Sequence, residues 1–211
     1  MSGTTKLEAL DLAALLCSRM CHDLISPVGA IVNGLEVMED DNDEQTKVFA
    51  LGLIKKSAQQ ASARLQFCRL AFGASGSAGA AIDLGDAENV TRGCFEDDKT
   101  KLVWNIPRLL LPKNRVKLLL NLVLLAGQTI PRGGVLTVDP VGEGETMGFR
   151  LTAAGLNARI PAALPALVCC ESVEPLDAHA IQPFHAGLLA SACGLGVTLS
   201  LENESVVIVA K

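Results

Sequence analysis

Two series of regularly spaced apolar residues in the first third of the chain restrict its fold more than any other feature. In each series the apolar residues recur at alternating spacings of three and four, which is the pattern of a helix that packs along one face. The series are Leu7, Leu10, Ala14, Cys17, Cys21, Leu24, Val28, Ile31, Leu35, Met38 and Leu51, Ile54, Ala58, Ala61, Leu65, Cys68, Phe72. Because a short acidic segment, EDDNDE, separates them, we predict an antiparallel hairpin of two long helices.

A hairpin of two helices cannot cover both of its own apolar stripes. Leu15, Ile25 and Val32 widen the first stripe further. A second copy of the chain would bury both stripes, since two hairpins that face each other form a four-helix bundle. We therefore expect a homodimer that assembles through the hairpin.

The segment CHDLISPVGAI on the first helix contains the residues with the clearest chemical potential. With Cys21 and Leu24 in the apolar stripe, His22 falls beside the stripe and points outward. The carboxylate of Asp23 would orient or polarise the imidazole. Pro27 has no N–H, so the carbonyl of Asp23 loses its usual helical donor. The pattern predicts a histidine that another protein can reach, and an ordinary surface histidine is the alternative.

The surroundings of His22 predict an open docking face. Small residues lie one turn away on the first helix, and a hairpin that turns near Asp41 brings part of the second helix level with His22. The second helix has five basic residues and no acidic one between positions 45 and 72, so a basic rim would steer an acidic partner. An ordinary solvated helix face is the alternative. The predicted docking face consists of Ser18, Arg19, Ser26, Gly29, Gln60 and Arg64.

A segment of Gly, Ala and Ser divides the chain into two predicted domains. A hairpin domain at 1–74 is followed by a linker at 75–80 and a second domain at 81–211. The second domain has helical patterns at about 85–95, 113–129 and 184–193, which interleave with the strand patterns KLVWNI, GVLTVD, GFRLTA, GVTLSL and SVVIVA. This order predicts an α/β sandwich with a mixed sheet, so the whole chain belongs to the α+β class.

Composition excludes several classes of function. The net charge is −5 and no run of Lys and Arg occurs, so direct binding of nucleic acid is not expected. The richest apolar run, LLLNLVLLAG, is too short to span a bilayer, and the N-terminus lacks the pattern of a signal peptide. We therefore expect a soluble cytoplasmic protein without a membrane partner. The seven cysteines are expected to be reduced thiols in the core, not disulfides or metal ligands.

The residues around His22 resemble a known motif. His22, Asp23, Leu24, Ser26 and Pro27 match the H-box of bacterial sensor histidine kinases, which lies on the first helix of their dimeric phosphoacceptor bundle. The second domain resembles the ATP-binding domain of the same kinases. In particular, NLVLLAGQTIPRGGVLTV looks like their N-box helix with its Pro-x-Gly-Gly turn and the strand that follows.

The nucleotide-binding residues of those kinases are not matched. Asn121 corresponds to one asparagine of the N-box, but Leu125 stands where a second asparagine holds Mg²⁺. Ala153 replaces the aspartate that reads adenine, and Asn157 replaces a glycine of the same motif. The segment HAGLLA keeps two residues of the Gly-Leu-Gly-Leu that covers the phosphates. Because apolar side chains cannot coordinate Mg²⁺, we expect a degenerate domain that binds neither ATP nor a metal.

A bundle with an exposed histidine and a kinase-like domain without nucleotide residues resembles the ChpT-type histidine phosphotransferases of the alphaproteobacterial cell-cycle phosphorelay. The resemblance covers essentially the whole chain. It implies that His22 takes a phosphoryl group from the receiver domain of a hybrid histidine kinase and passes it to response regulators, a transcription factor and a regulator of proteolysis. Mg²⁺ would come from the receiver domain. An idle dimeric scaffold and an atypical ATP-dependent kinase are the alternatives, and His179 and His185 are assigned no role.

Overall fold

Two long helices open the fold, and they are the hairpin that the apolar series predict. A computed structural model describes residues 7–40, 43–73, 81–171 and 176–211. Helix α1 is Ala9–Asp40 and helix α2 is Glu44–Ala71, and the two pack along each other. The carboxylate of Asp43 accepts a hydrogen bond of 2.9 Å from the backbone N–H of Thr46 and so caps α2. The predicted linker at 75–80 lies outside the described residues.

The second domain combines a mixed sheet with helices, as predicted. The strands are β1 (Ala81–Asp83), β2 (Thr100–Trp104), β3 (Leu110–Pro112), β4 (Gly134–Val141), β5 (Gly148–Ala154), β6 (Val197–Glu202) and β7 (Ser205–Ala210). The helices are α3 (Leu84–Phe95), α4 (Lys113–Thr129), α5 (Leu164–Val168) and α6 (Ile181–Ala192). A five-stranded sheet has the order β2-β4-β5-β7-β6, with β2 parallel to β4 and the other pairs antiparallel. The strands β1 and β3 form a separate antiparallel pair.

One face of the five-stranded sheet is apolar and covered. Along β5 the side chains of Phe149, Leu151 and Ala153 are fully buried, and the residues between them are partly exposed. This alternation places every second side chain of β5 toward the helices. Helix α4 packs on β5 and β7, and α3 packs on β2, so the sheet and its helices form the two layers of the sandwich.

The middle of helix α4 is buried on all sides. Its residues from Leu118 to Val123 are all buried, because α2, α3 and α6 surround the side that does not contact the sheet. Phe67 and Ala71, near the end of α2, belong to the same apolar core as the sheet. The hairpin and the second domain are therefore joined by a shared core in addition to the covalent chain.

A buried amide connects three helices inside this core. The side-chain nitrogen of Asn121 on α4 donates to the backbone carbonyls of Ala71, at 3.3 Å, and Lys117, at 2.9 Å. Its Oδ1 accepts from Nε2 of Gln182 on α6 at 3.1 Å. Both ends of the carboxamide are thus hydrogen-bonded within the protein, as a buried amide requires.

One side of α1 packs against the second domain. Leu12, Leu15 and Leu16, of which only Leu15 was assigned to the predicted stripe, pack with residues of α5 and α6, a contact that the sequence did not predict. Further along, Ile25 is 69% exposed and Val28 is 48% exposed. By length and composition alone α1 is also apolar enough to cross a membrane, which is weak evidence because helices of soluble proteins pass the same test.

The cysteines are free thiols, as predicted, but several lie elsewhere than expected. Cys17, Cys21 and Cys169 are exposed, so the prediction that they lie in the core is wrong for this chain by itself. Cys17 and Cys21 belong to the apolar stripe of α1. Membership of an apolar stripe specifies the side of the helix on which a residue lies, and the described residues of one chain leave this part of that side open.

His185 on α6 leads to a prediction about pH. Neither ring nitrogen has a hydrogen-bond partner among the described residues. Burial, together with the nearby Lys117 ammonium, lowers the pKa of His185 from 6.5 to about 4. Between these values the unfolded chain binds more protons than the folded chain, so stability is complete above pH 6.5 and is lost as the pH falls. We expect the free energy of unfolding to decrease by about 2 to 3 kcal/mol from pH 6.5 to 4.

Urea unfolding at a series of pH values measures this loss. In the variant His185→Leu the buried base is absent, so the curve should be flatter over the same interval by most of that amount. An unchanged slope in the variant would show that other groups cause the loss.

Candidate functional site

His22 projects from α1 into solvent, as its place beside the apolar stripe predicted. Its side chain is 59% exposed. Nδ1 of His22 lies 3.4 Å from Oδ1 of Asp23. A carboxylate at this nitrogen favours the tautomer with the proton on Nδ1, which leaves the lone pair of Nε2 available. The ring is therefore arranged to react or bind through Nε2.

The carboxylate of Asp23 is itself held by a neighbour on α1. Nε of Arg19 donates to Oδ2 of Asp23 at 3.0 Å, and the Arg19 side chain is only 15% exposed. Oδ1 of Asp23 faces His22 and Oδ2 faces Arg19. The orientation of the carboxylate is thus fixed from one side, which restricts the position of the imidazole on the other.

Pro27 changes the backbone hydrogen bonding of α1 next to this cluster. It is buried and has no N–H, so the carbonyl of Asp23 receives no donor from within its own helix. A guanidinium nitrogen of Arg64, on α2, donates to that carbonyl instead. The second helix therefore supplies the hydrogen bond that Pro27 removes, and α1 continues to Asp40.

The structure brings together part of the predicted docking face. Ser18 and Ser26 are exposed near His22, and a side chain at Gly29 would meet open space. Arg64 contacts Asp23, whereas Gln60 is exposed on α2 and no described contact joins it to His22. The basic rim differs from the prediction in one respect. Both Arg19 and Arg64 donate hydrogen bonds to Asp23, so part of their positive charge faces Asp23 and not an incoming partner.

His179, which sequence analysis left without a role, completes the cluster from the second domain. The centroids of the His179 and His22 rings are 5.0 Å apart and their planes meet at 77°, an edge-to-face contact. Nδ1 of His179 lies 3.5 Å from a guanidinium nitrogen of Arg19. Oδ1 of Asp177 accepts from the backbone N–H groups of His179 and Ala180 at 2.9 and 2.8 Å. An aspartate just before a helical segment is a common helix-start signal, but nothing in this part of the sequence indicates proximity to α1.

A cleft of about 340 Å³ opens beside Asp23, between the hairpin and the second domain. Its lining includes Arg64, Cys68, Cys94 and Gln128. Burial raises the pKa of both thiols to about 11. Both thiols are therefore protonated near neutral pH and are poor nucleophiles, because the reactive form of cysteine is the thiolate.

Most of the positions that were compared with the nucleotide site of sensor kinases are occupied here by residues that pack inside the protein. Leu125 and Ala153 are completely buried in the core. Asn157 has a φ of 62°, a left-handed conformation that asparagine accepts in place of glycine. Gly187 lies inside α6, where a Cβ would come within 2.2 Å of the carbonyl oxygen of Val168. The segment HAGLLA is thus part of a packed helix, and the described residues contain no cluster of three or more potential metal ligands.

Comparisons with known proteins agree with this arrangement. The model of the histidine phosphotransferase C-terminal domain matches residues 84–205. The protein phosphotransferase ChpT of Brucella abortus (strain 2308) is 48% identical over 208 residues, which cover 98% of each chain. The chain belongs to the histidine phosphotransferase family. A structure described as that of a bacterial phosphotransferase is 46% identical to this family member, covers 99% of both chains and gives a TM-score of 0.90.

These comparisons confirm the family and fold class that the sequence predicted. The H-box residues and the altered nucleotide positions were the features that carried the resemblance to histidine phosphotransferases. Over its described residues, the chain consists of two long helices followed by a mixed α/β sandwich.

The hydrogen bond between Arg64 and Asp23 leads to a prediction about stability. In Arg64→Ala the carbonyl of Asp23 has no donor on either helix, and we expect the free energy of unfolding to decrease by about 1 to 3 kcal/mol. In the Pro27→Ala background residue 27 supplies a helical N–H, so the same substitution should cost less. Urea unfolding of the four proteins in this double-mutant cycle measures the difference.

Arg69→Ala is the matched control, since Arg69 is an exposed cation near the end of the same helix. It should change stability little in either background. An equal cost for Arg64→Ala with and without Pro27 would exclude the compensation.

Proposed function

We propose that this chain relays phosphoryl groups between receiver domains, with Nε2 of His22 as the phosphoacceptor. Membership of the histidine phosphotransferase family supports the class of reaction. The single structural observation that carries the residue assignment is the exposed His22 ring with Asp23 at Nδ1.

The chemistry follows from a neutral imidazole that is held in place. Nε2 attacks the phosphorus of an aspartyl phosphate on a receiver domain; the bond from phosphorus to the carboxylate oxygen breaks and the bond to Nε2 forms. The proton on Nδ1 faces Asp23, which stabilises the positive charge that develops on the ring. Attack by an aspartate of a second receiver domain reverses these steps. The chain contributes position and electrostatics, and no strong base is needed.

The partners in this proposal are the receiver domain of a hybrid histidine kinase and the receiver domains of downstream response regulators. By family resemblance these regulators include a transcription factor and a regulator of proteolysis. The exposed Ser18 and Ser26 and the open space at Gly29 leave room for a receiver domain over His22. Residues of the second domain close to His22 would contribute to the same docking surface. A cytoplasmic location agrees with partners of this kind.

We further propose that the chain uses neither ATP nor a metal of its own, and that Mg²⁺ comes from the receiver domain. The buried side chains at Leu125 and Ala153 support this proposal, because they offer no ligand to Mg²⁺ or adenine. Asn121 supports it as well, since its carboxamide is already hydrogen-bonded to three other residues.

A homodimer through the hairpin is the proposed assembly. Large apolar side chains are exposed along both helices, and a second hairpin would cover them. They are Leu10, Ile25, Val28, Val32, Leu35, Val37, Val48, Phe49, Leu51, Leu53 and Leu65. In such a four-helix bundle the apolar character of α1 serves a protein interface, and a membrane is not required.

Labelling experiments test the phosphoacceptor. The full-length protein should remain unlabelled with Mg·ATP alone and become labelled when a phosphorylated receiver domain is added. The variant His22→Ala should lose all of this label while its circular dichroism spectrum stays unchanged. Thr198→Ala, at an exposed residue of β6 outside the predicted docking face, is the control and should remain competent.

Each alternative has its own outcome in this experiment. Label from ATP alone would support an atypical kinase. No label from either donor would support an idle scaffold, and label that persists in His22→Ala would place the phosphoacceptor elsewhere.

The dimer is tested by a charge within the exposed stripe. Val28→Asp leaves the single chain intact, because Val28 is 48% exposed there, but it would bury an unpaired carboxylate in the bundle. We expect light scattering to show a dimer for the wild type and a monomer for this variant at micromolar concentration. Leu156→Asp, at a 67% exposed apolar residue in the second domain, should remain dimeric. A monomeric wild type would contradict the proposed assembly.

A further inference from the structure

The contact between His179 and His22 joins the second domain to the proposed phosphoacceptor. The His22 side chain is more than half exposed, so its ring is open to rotation about the bonds of the side chain. Asp23 contacts one ring atom, Nδ1. The edge-to-face contact with His179 adds a second point of contact, and two points define the ring orientation better than one.

His179 lies in a part of the second domain that is itself well supported. Asp177 accepts hydrogen bonds from the backbone N–H groups of His179 and Ala180, which hold the exposed turn just before α6. These two bonds keep the pKa of Asp177 below its usual value, which keeps the carboxylate in the charged form that accepts them. Immediately beyond, Ile181 and Phe184 pack in the cluster that holds the first half of α1.

Arg19 connects the two contacts. It donates to Asp23 and lies within 3.5 Å of Nδ1 of His179. A guanidinium has donors on several nitrogens and accepts no hydrogen bond, so one Arg19 can face both groups. The carboxylate and the imidazole that flank His22 are therefore held by the same cation.

We propose that His179 is a positioning residue for phosphoryl transfer, which holds the His22 ring with Nε2 toward the incoming phosphorus. The inference rests on the proposed function of His22. It assigns to the second domain a direct effect on the reacting ring, in addition to any contact with the partner. His179 itself does not receive the phosphoryl group.

Phosphoramidate is the probe that tests this role, because it is a small donor that requires no protein docking. In the reaction the bond from phosphorus to the amino group of phosphoramidate breaks, the bond to Nε2 of His22 forms and ammonia leaves. Rates are measured on the full-length protein by quenching and separating the phosphorylated form. We expect His179→Ala to lower the rate constant by about threefold to tenfold, the effect of a lost aromatic contact.

A conservative replacement of His179 distinguishes a role in positioning the His22 ring from a role in stabilising the fold. His179→Phe retains an aromatic ring against His22 and should keep most of the wild-type rate. In the ¹⁵N spectrum, His22 of the wild type should be mainly the tautomer protonated at Nδ1, and His179→Ala should shift it toward a mixture. The melting temperature is recorded for each variant, and His179→Phe provides the test if His179→Ala does not fold.

The outcomes separate this inference from the proposed function. If phosphoramidate labels neither the wild type nor His22→Ala, the assignment of His22 fails and the inference fails with it. If the wild type is labelled and folded His179→Ala reacts at the same rate, His22 stands and the positioning role is overturned. A rate for His179→Phe as low as that for His179→Ala would also overturn the role of the ring contact.

Discussion

The burial of helix α4 between the sheet and the end of α2 is the constraint on which the rest of the molecule depends. The middle of α4, where six consecutive residues are buried, is enclosed by several elements, and one of them belongs to the hairpin. Phe67 and Ala71 thereby become part of the core of the second domain. The hydrogen bonds of Asn121 also fix the relative orientation of α2, α4 and α6, because a carboxamide hydrogen-bonds in only a few geometries. The relative position of hairpin and sheet follows from these contacts.

The packing of the hairpin against the second domain sets the positions of the side chains around His22. His22 is exposed, and an exposed side chain on a single helix has no fixed orientation. Asp23 on α1 and His179, just before α6, contact the ring, and Arg19 on α1 and Arg64 on α2 in turn hold Asp23. Only a rigid junction between hairpin and second domain can keep such a set together. The fold therefore supports the chemistry by positioning, in the way expected for a reaction that requires no strong base.

The sequence predicted the elements that are long enough to show a repeat of apolar residues. It missed short elements and features that depend on how elements pack against each other. The long helices and the main strands were predicted because periodicity records which side is covered. The short β1, β3 and α5 contain too few residues to show a period. The exposure of Cys17 was missed because a stripe does not reveal what covers it. His179 was missed because its position depends on how α6 packs against α1, which no local pattern records.

The complete burial of Leu125 has a consequence for metal binding at this position. An asparagine at this position would place a polar carboxamide among apolar side chains, at a cost of several kcal/mol unless new partners appeared at once. Asn121 could not assist, because its hydrogen bonds already hold α2 and α6. A magnesium ligand introduced at position 125 alone would therefore destabilise the core before any cation was bound.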